Sequence, residues 1–333
     1  MSAEKFVFPD PGVPTTPIER VDLYSEKAAS YVARCIPFVA KVDWPALGWT
    51  PETLRKKIGN ATVKLLKHSG EGVTVSVNEY IDVIDNMRSG TGEYAIHGAP
   101  VIRFRPPDRN PEFNVLLDDL RLPSFVTPQN LHSMAVWMRN SGWRDNGSHA
   151  EANVASNLNL QIAGKKHVWL FPPDDSPYVG AATTRENLMT PPYFSAQQTV
   201  YKADDAHPEF ENVHCYETVL EPGDMIHVPT LWYHWFVHYD AYQINFNCWW
   251  QLEELPLSTL SAEWAFMKAL CLSLGGFAEA PARFAALPVE TQDLLAQISR
   301  TLVTEKRCTL AKTPELYEGA KLTPFNPALF KKS

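Results

Sequence analysis

The stretch NGSHAEANVASNLNLQIAGKK, Asn146 to Lys166, decides how the rest of the chain is read. Its second half alternates: Asn157, Asn159 and Gln161 fall on one face of an extended segment, and Leu158, Leu160 and Ile162 on the other. In its first half His149 and Glu151 stand at i and i+2, so on a strand they share a face, about 6 to 7 Å apart at the backbone. The pair is either two ligands of one metal ion or an ordinary solvated turn before a strand, and alone it leaves both open.

A second segment, LEPGDMIHVPTLWYHWFVHYDAYQINFNCWW from Leu220 to Trp250, bears on that choice. EPGD reads as a turn, and His234 sits among Trp232, Tyr233, Trp235 and Phe236, an apolar setting where an imidazole needs a partner. Two histidines and one carboxylate on one side of an ion leave the opposite positions open, the arrangement that suits Fe(II) for oxygen activation. Gln243, Asn245 and Asn247 repeat the amide alternation. Two rows of amides are either the wet side of a sheet or the lining of a polar cavity. Lys166, on an interior strand position, would have to meet an anion, because an unpaired buried charge costs several kcal/mol. His227 is expected on the opposite face. His238 is expected further along the strand of His234, too far to share the metal but able to touch substrate.

Working outward, periodicity of two from about 130 to 250 suggests an antiparallel barrel or sandwich, interrupted by a long insert rich in Pro, Asp and Thr over 172–222. Upstream the chain reads as mixed α and β. YSEKAASYVARC is amphipathic, IPFVAKV is a strand, and TPETLRKKIG is a helix with Thr50 as N-cap, Pro51 first inside and Gly59 as stop. ATVKLLKH, VNEYIDVIDNM and EYAIHGAPVIRF follow as strand, helix and strand. Downstream, Leu260, Trp264, Met267, Cys271 and Leu274 form a helical stripe ending at Gly275-Gly276, and Leu294, Leu295, Ile298, Leu302 and Val303 form another. These stripes are core or, alternatively, a homodimer contact through C-terminal helices.

Composition bounds the rest. A chain of 333 residues, 45% hydrophobic, buries a large core. The 30 Lys plus Arg against 38 Asp plus Glu are spread without a basic cluster, which argues against a nucleic-acid partner. MSAEKFVFPDPG lacks the basic and apolar regions of a secretion signal, and no apolar run reaches the ~18 residues of a membrane span. A soluble, cytoplasmic protein with no membrane partner is expected. Five scattered cysteines without a C-x-x-C pair point to reduced thiols.

The run NLNLQIAGKKHVWLFPPDDSPY, with LEPGDMIHVPTLWYHW and NCWW, resembles the JmjC and cupin-like iron(II)/2-oxoglutarate oxygenases, in the branch containing the asparaginyl hydroxylase of hypoxia-inducible factor. The resemblance is strongest over 146–250 and implies a mainly β protein with α: a double-stranded β-helix (jelly-roll, cupin) core over 126–252. An N-terminal α/β segment, 1–125, would pack on that core, and a helical segment, 253–333, would follow. It also implies Fe(II), 2-oxoglutarate and O2 as cofactor and co-substrates. His149, Glu151 and His234 would be the metal ligands, given a two-residue insertion between the first pair and Asn157. Lys166 would partner the distal carboxylate of 2-oxoglutarate, Asn157 and Asn247 would lie beside co-substrate and metal, and Tyr94 would match a tyrosine used at that carboxylate. Asn159, Gln161, Gln243 and Asn245, with His238, would face substrate. The expected reaction is oxidation of an unactivated C–H bond, by hydroxylation, ring closure or desaturation, in a small polar, amino-acid-like molecule. A JmjC-type peptidyl hydroxylase or demethylase and a non-catalytic metal-binding cupin are the rival readings.

Overall fold

The computed structural model describes residues 11–66, 72–86, 102–106, 109–140, 144–145, 149–151, 155–175, 178–179, 193–195, 210–230, 232–238, 242–251, 266, 269–270, 272–275 and 280–305. For His149 and Glu151 it describes the backbone only. Strands β1 (Thr15–Pro17) and β2 (Phe38–Lys41) flank helix α1 (Glu26–Ala33), capped by Ser25, whose side chain accepts from the Ala28 backbone N–H. Helix α2 (Pro51–Ile58) begins where Thr50 and Thr53 form a reciprocal capping box, and Gly59 closes it. A hairpin of β3 (Thr62–Leu66) and β4 (Gly72–Ser76) leads into α3 (Val77–Asn86), then β5 (Ile102–Phe104).

The core strands follow: β6 (Leu131–Asn140), β7 (Arg144–Asp145), β8 (His149–Glu151), β9 (Ala155–Ala163), β10 (Lys166–Phe171), β11 (Tyr193–Ser195), β12 (Cys215–Leu220), β13 (Asp224–Val228), β14 (Tyr233–His238) and β15 (Tyr242–Gln251). They form two sheets. One runs β2-β13-β9-β15-β6-β5, and the other β1-β12-β10-β14-β8-β11, with β7 also on β14. Eight strands shared between the sheets (β6, β8, β9, β10, β12, β13, β14, β15) wind as a double-stranded β-helix, the fold expected. Strand β12 occupies 215–220, inside the stretch read as insert, because it is a half-buried strand whose neighbour β1 lies far off in sequence. The short β11, from the same stretch, pairs with β8.

The alternation in β9 and β15 sorts side chains between two cores. Leu158, Leu160, Ile162, Ile244, Phe246, Cys248 and Trp250 pack outward against Val32, Leu54, Ile58, Tyr80, Ile81 and Ile84 of α1 to α3. Each fully buried aliphatic side chain there contributes about 1.5 to 3 kcal/mol. On the inner side Val168, Leu170, Ile226, Val228 and Trp232 form a second cluster between the sheets, with Phe236 packed on it. Downstream, α4 (Ala280–Ala285) and α5 (Val289–Glu305) follow Gly275, whose φ is 95°. Leu294 and Ile298 on α5 are exposed at 56% and 37%. Among the described residues, no helix is long and apolar enough to cross a membrane.

Candidate functional site

The amide rows are not the wet side of a sheet. Asn157, Asn159, Gln161, Gln243, Asn245 and Asn247 are each 5% exposed or less, enclosed between the two sheets. Register sets them side by side, Asn245 opposite Gln161 and Asn247 opposite Asn159. Buried amides are as a rule bonded, and these bond largely to one another, Gln161 Oε1 alone of their oxygens being buried without a partner among the described residues. Asn245 donates to Asn247 Oδ1 at 2.7 Å, and Asn247 to Asn157 Oδ1 at 3.0 Å. Gln161 Nε2 donates to Gln243 Oε1 at 2.7 Å and to the Ala163 carbonyl at 2.7 Å, while Gln243 Nε2 donates to the Lys165 carbonyl at 3.1 Å. The glutamines therefore close one end of the lumen against the β9–β10 turn. Gly164 makes that closure possible: its φ is 76°, and a Cβ there would lie 2.3 Å from Gln243 Nε2.

Lys166 begins β10 and is 1% exposed. Its Nζ donates to Asn159 Oδ1 at 2.8 Å and lies 5.0 Å from the centre of the Phe236 ring. Neither partner carries a negative charge. Burial, with Arg139 adding repulsion, holds its ammonium well below the ordinary lysine range. His238 is the register partner of Lys166 across β10 and β14 and is 5% exposed. Its Nδ1 bonds Gln243 Oε1 at 3.3 Å, and burial, then Lys166 and Arg139, holds it well below the ordinary histidine value.

Four residues earlier on β14, His234 is 2% exposed, and its Nδ1 donates to the Trp232 carbonyl at 3.2 Å. That bond sets the tautomer that carries its hydrogen on Nδ1 and its lone pair on Nε2. Directly opposite it on the neighbouring strand stands His149, and Glu151 follows two residues on in β8, at the same side of the pleat. Register thus brings the backbone of the three expected ligands together. His227 is turned away: fully buried on the outer side, it bonds the Ile36 carbonyl at 3.0 Å through Nδ1 and stacks on Trp250 with ring centres 5.7 Å apart. Tyr94 lies outside the described residues. Arg139 and Gly164 went unread as neighbours in the sequence, and Phe236, read there as part of the aromatic setting of His234, lies beneath Lys166. The period of two through Ser133, Ala135, Trp137 and Arg139 was the available signal for the first.

A cupin-like domain model matches residues 30–254. Zebrafish (Danio rerio) tRNA wybutosine-synthesizing protein 5 is 29% identical over 132 residues, 40% of this chain and 37% of that protein. Mouse (Mus musculus) HSPB1-associated protein 1 is 25% identical over 239 residues, 64% of this chain and 47% of that protein. Human (Homo sapiens) tRNA wybutosine-synthesizing protein 5 is 26% identical over 145 residues, 43% of this chain and 42% of that protein. The chain spans less than half the length of these relatives. With two sheets wound as a double-stranded β-helix and a family match running through all eight of its strands, the chain belongs to the cupin-like domain family, the JmjC-like cupins.

Proposed function

We propose that the chain is an Fe(II)- and 2-oxoglutarate-dependent oxygenase that oxidises an unactivated C–H bond of a small, polar, amino-acid-like substrate. The observation that carries this reading is the backbone alignment, inside one barrel, of His149 opposite His234 with Glu151 two residues on, and of a buried lysine whose hydrogen bond among the described residues goes to a neutral amide. Two imidazoles and a carboxylate fit Fe(II), and an ammonium that lacks an anion fits a dicarboxylate. His149, Glu151 and His234 would hold the metal, which when bound supplies oxygen activation coupled to decarboxylation of 2-oxoglutarate.

The chain's own part is positioning. The Trp232 carbonyl orients His234, and Asn159 orients Lys166 toward the distal carboxylate. Asn157 and Asn247, bonded to each other, stand beside this space as fixed dipoles that need no reorganisation. Val168, Leu170, Ile226, Val228 and Phe236 exclude water. A lumen lined with amides, in which Gln161 Oε1 has no hydrogen-bond partner among the described residues, suits a small polar molecule, selected by a few placed groups. The names of two of these relatives speak of tRNA wybutosine synthesis; a net charge of -8 without a basic cluster speaks against a polyanionic substrate here.

Succinate release from 2-oxoglutarate, measured with free amino acids and related metabolites and with a peptide library, tests the reading. Stimulation by a small metabolite, abolished in His149→Ala, Glu151→Ala and His234→Ala, is expected. Stimulation by peptides alone would replace the substrate class with the peptidyl hydroxylase. Iron-independent background release under every condition would leave a non-catalytic metal-binding cupin.

A further inference from the structure

The end of the lumen remote from His234 holds more cationic capacity than one lysine. Lys166 and His238 face each other across β10 and β14, both buried, and their hydrogen bonds to described side chains go to the neutral amides Asn159 and Gln243. The charge of Arg139 on β6 is felt by both Lys166 and His238, and the backbone of β7 pairs on the other side of β14, with Arg144 in register with His238 and Asp145 with Val237. Strands β9 and β15 bring only Asn159, Gln161, Gln243 and Asn245.

Hydrogen-bond direction then restricts what His238 can do. Gln243 gives its Nε2 hydrogens toward the Lys165 carbonyl, so its Oε1 is the acceptor presented to His238 Nδ1 and to Gln161 Nε2. The hydrogen of a neutral His238 must therefore sit on Nδ1, leaving a lone pair on Nε2. A lone pair repels a carboxylate. Only after gaining a proton at Nε2 does the ring become a second donor. Lys166, with Asn159 taking one of its hydrogens, has two left for an incoming oxygen.

We propose that His238 is the second arm of the anion site: protonated Nε2 and the Lys166 ammonium receive one carboxylate together, so 2-oxoglutarate enters with one proton drawn from solvent onto His238. This deepens the oxygenase reading and rests on it. Desolvation and the neighbouring cations keep the empty site short of protons, and the anion reverses that balance. The acceptor Gln243, clamped over Gly164, fixes which ring nitrogen takes the proton.

The test is isothermal calorimetry of 2-oxoglutarate binding to the full chain loaded with Zn(II), in buffers of different ionisation enthalpy from pH 6.5 to 8.5. Uptake of about one proton per ligand is expected, with Kd rising up to tenfold per pH unit across the range. In His238→Gln the uptake should vanish, the pH slope flatten, and Kd at pH 6.5 rise about tenfold, the loss of one charge-assisted bond. Binding without proton uptake in the wild-type chain would overturn the inference while leaving the oxygenase reading intact. Uptake that persists in His238→Gln would assign the proton to Lys166 and overturn it equally. A wild-type chain that binds no 2-oxoglutarate at any pH would remove both.

Discussion

His227 offers a measurement of how the barrel's outer face is built. Its ring is fully buried between Trp250 and Phe38, with ring centres 5.7 and 5.0 Å away, and only Nδ1 finds a partner, the Ile36 carbonyl. Burial pushes its pKa down to about 3. Between the unfolded value near 6.5 and that figure, the unfolded chain binds a proton that the folded chain refuses, so stability falls as pH falls. At about 1.4 kcal/mol per pH unit, the loss is about 3 kcal/mol by pH 4.5 and roughly 4 kcal/mol by pH 3, where the folded ring is itself half protonated. Replacing the ring by phenylalanine, His227→Phe, should cost about 1 kcal/mol at pH 7 for the lost bond to Ile36. Below about pH 6 the order should reverse, and by pH 4.5 the variant should be the more stable by about 2 kcal/mol. Urea unfolding at a series of pH values reads the difference, in which every other titrating group cancels. Parallel curves for the two proteins would refute the reasoning, because they would mean that His227 takes its proton equally well in both states.

Two further outcomes follow from the lumen. Lys166→Met should weaken 2-oxoglutarate binding by tenfold or more while leaving metal affinity in place; titration of 2-oxoglutarate into the Zn(II)-loaded variant checks it, and an unchanged Kd would assign this lysine to packing alone. Gly164→Ala places a Cβ 2.3 Å from Gln243 Nε2 at a φ of 76°, and should cost about 2 kcal/mol or more in thermal unfolding and raise the Kd for 2-oxoglutarate; a neutral effect on both would show that the turn and Gln243 yield freely.

Local chemistry explains which parts of this architecture were legible beforehand. Thr50, Pro51 and Gly59 mark α2 because caps act over three or four residues. The alternations Asn157 to Ile162 and Gln243 to Asn247 were readable because each strand separates an apolar core from an amide-lined lumen. Strand β14 was harder: Tyr233, His234, Trp235, Val237 and His238 are all buried, so hydropathy alone does not say which side faces the lumen. Register against Lys166 and Leu170 supplies that. No local signal joins β1 to β12, or Ser195 to His149, since those pairings span long stretches of chain. For the same reason the bonding of Gln161 and Gln243 to each other and to the turn, rather than outward into the lumen, was visible only once the strands were in register.

The pairing of β11 with β8 bears on how this scaffold can be re-engineered. The strand carrying His149 and Glu151 has three residues, held by β14 along one side and by β11 along the other, and β11 comes from the long connection between β10 and β12. Such connections are the usual places for grafting new specificity, being exchanged as if independent of the core. Here a shorter graft would strip one neighbour from β8 and turn it into an open edge, loosening its register and presenting unpaired amides and carbonyls as a template for other chains. Libraries that retain Tyr193–Ser195 and vary the connection on either side should stay monodisperse, whereas libraries that excise those three residues should trade altered specificity for aggregation.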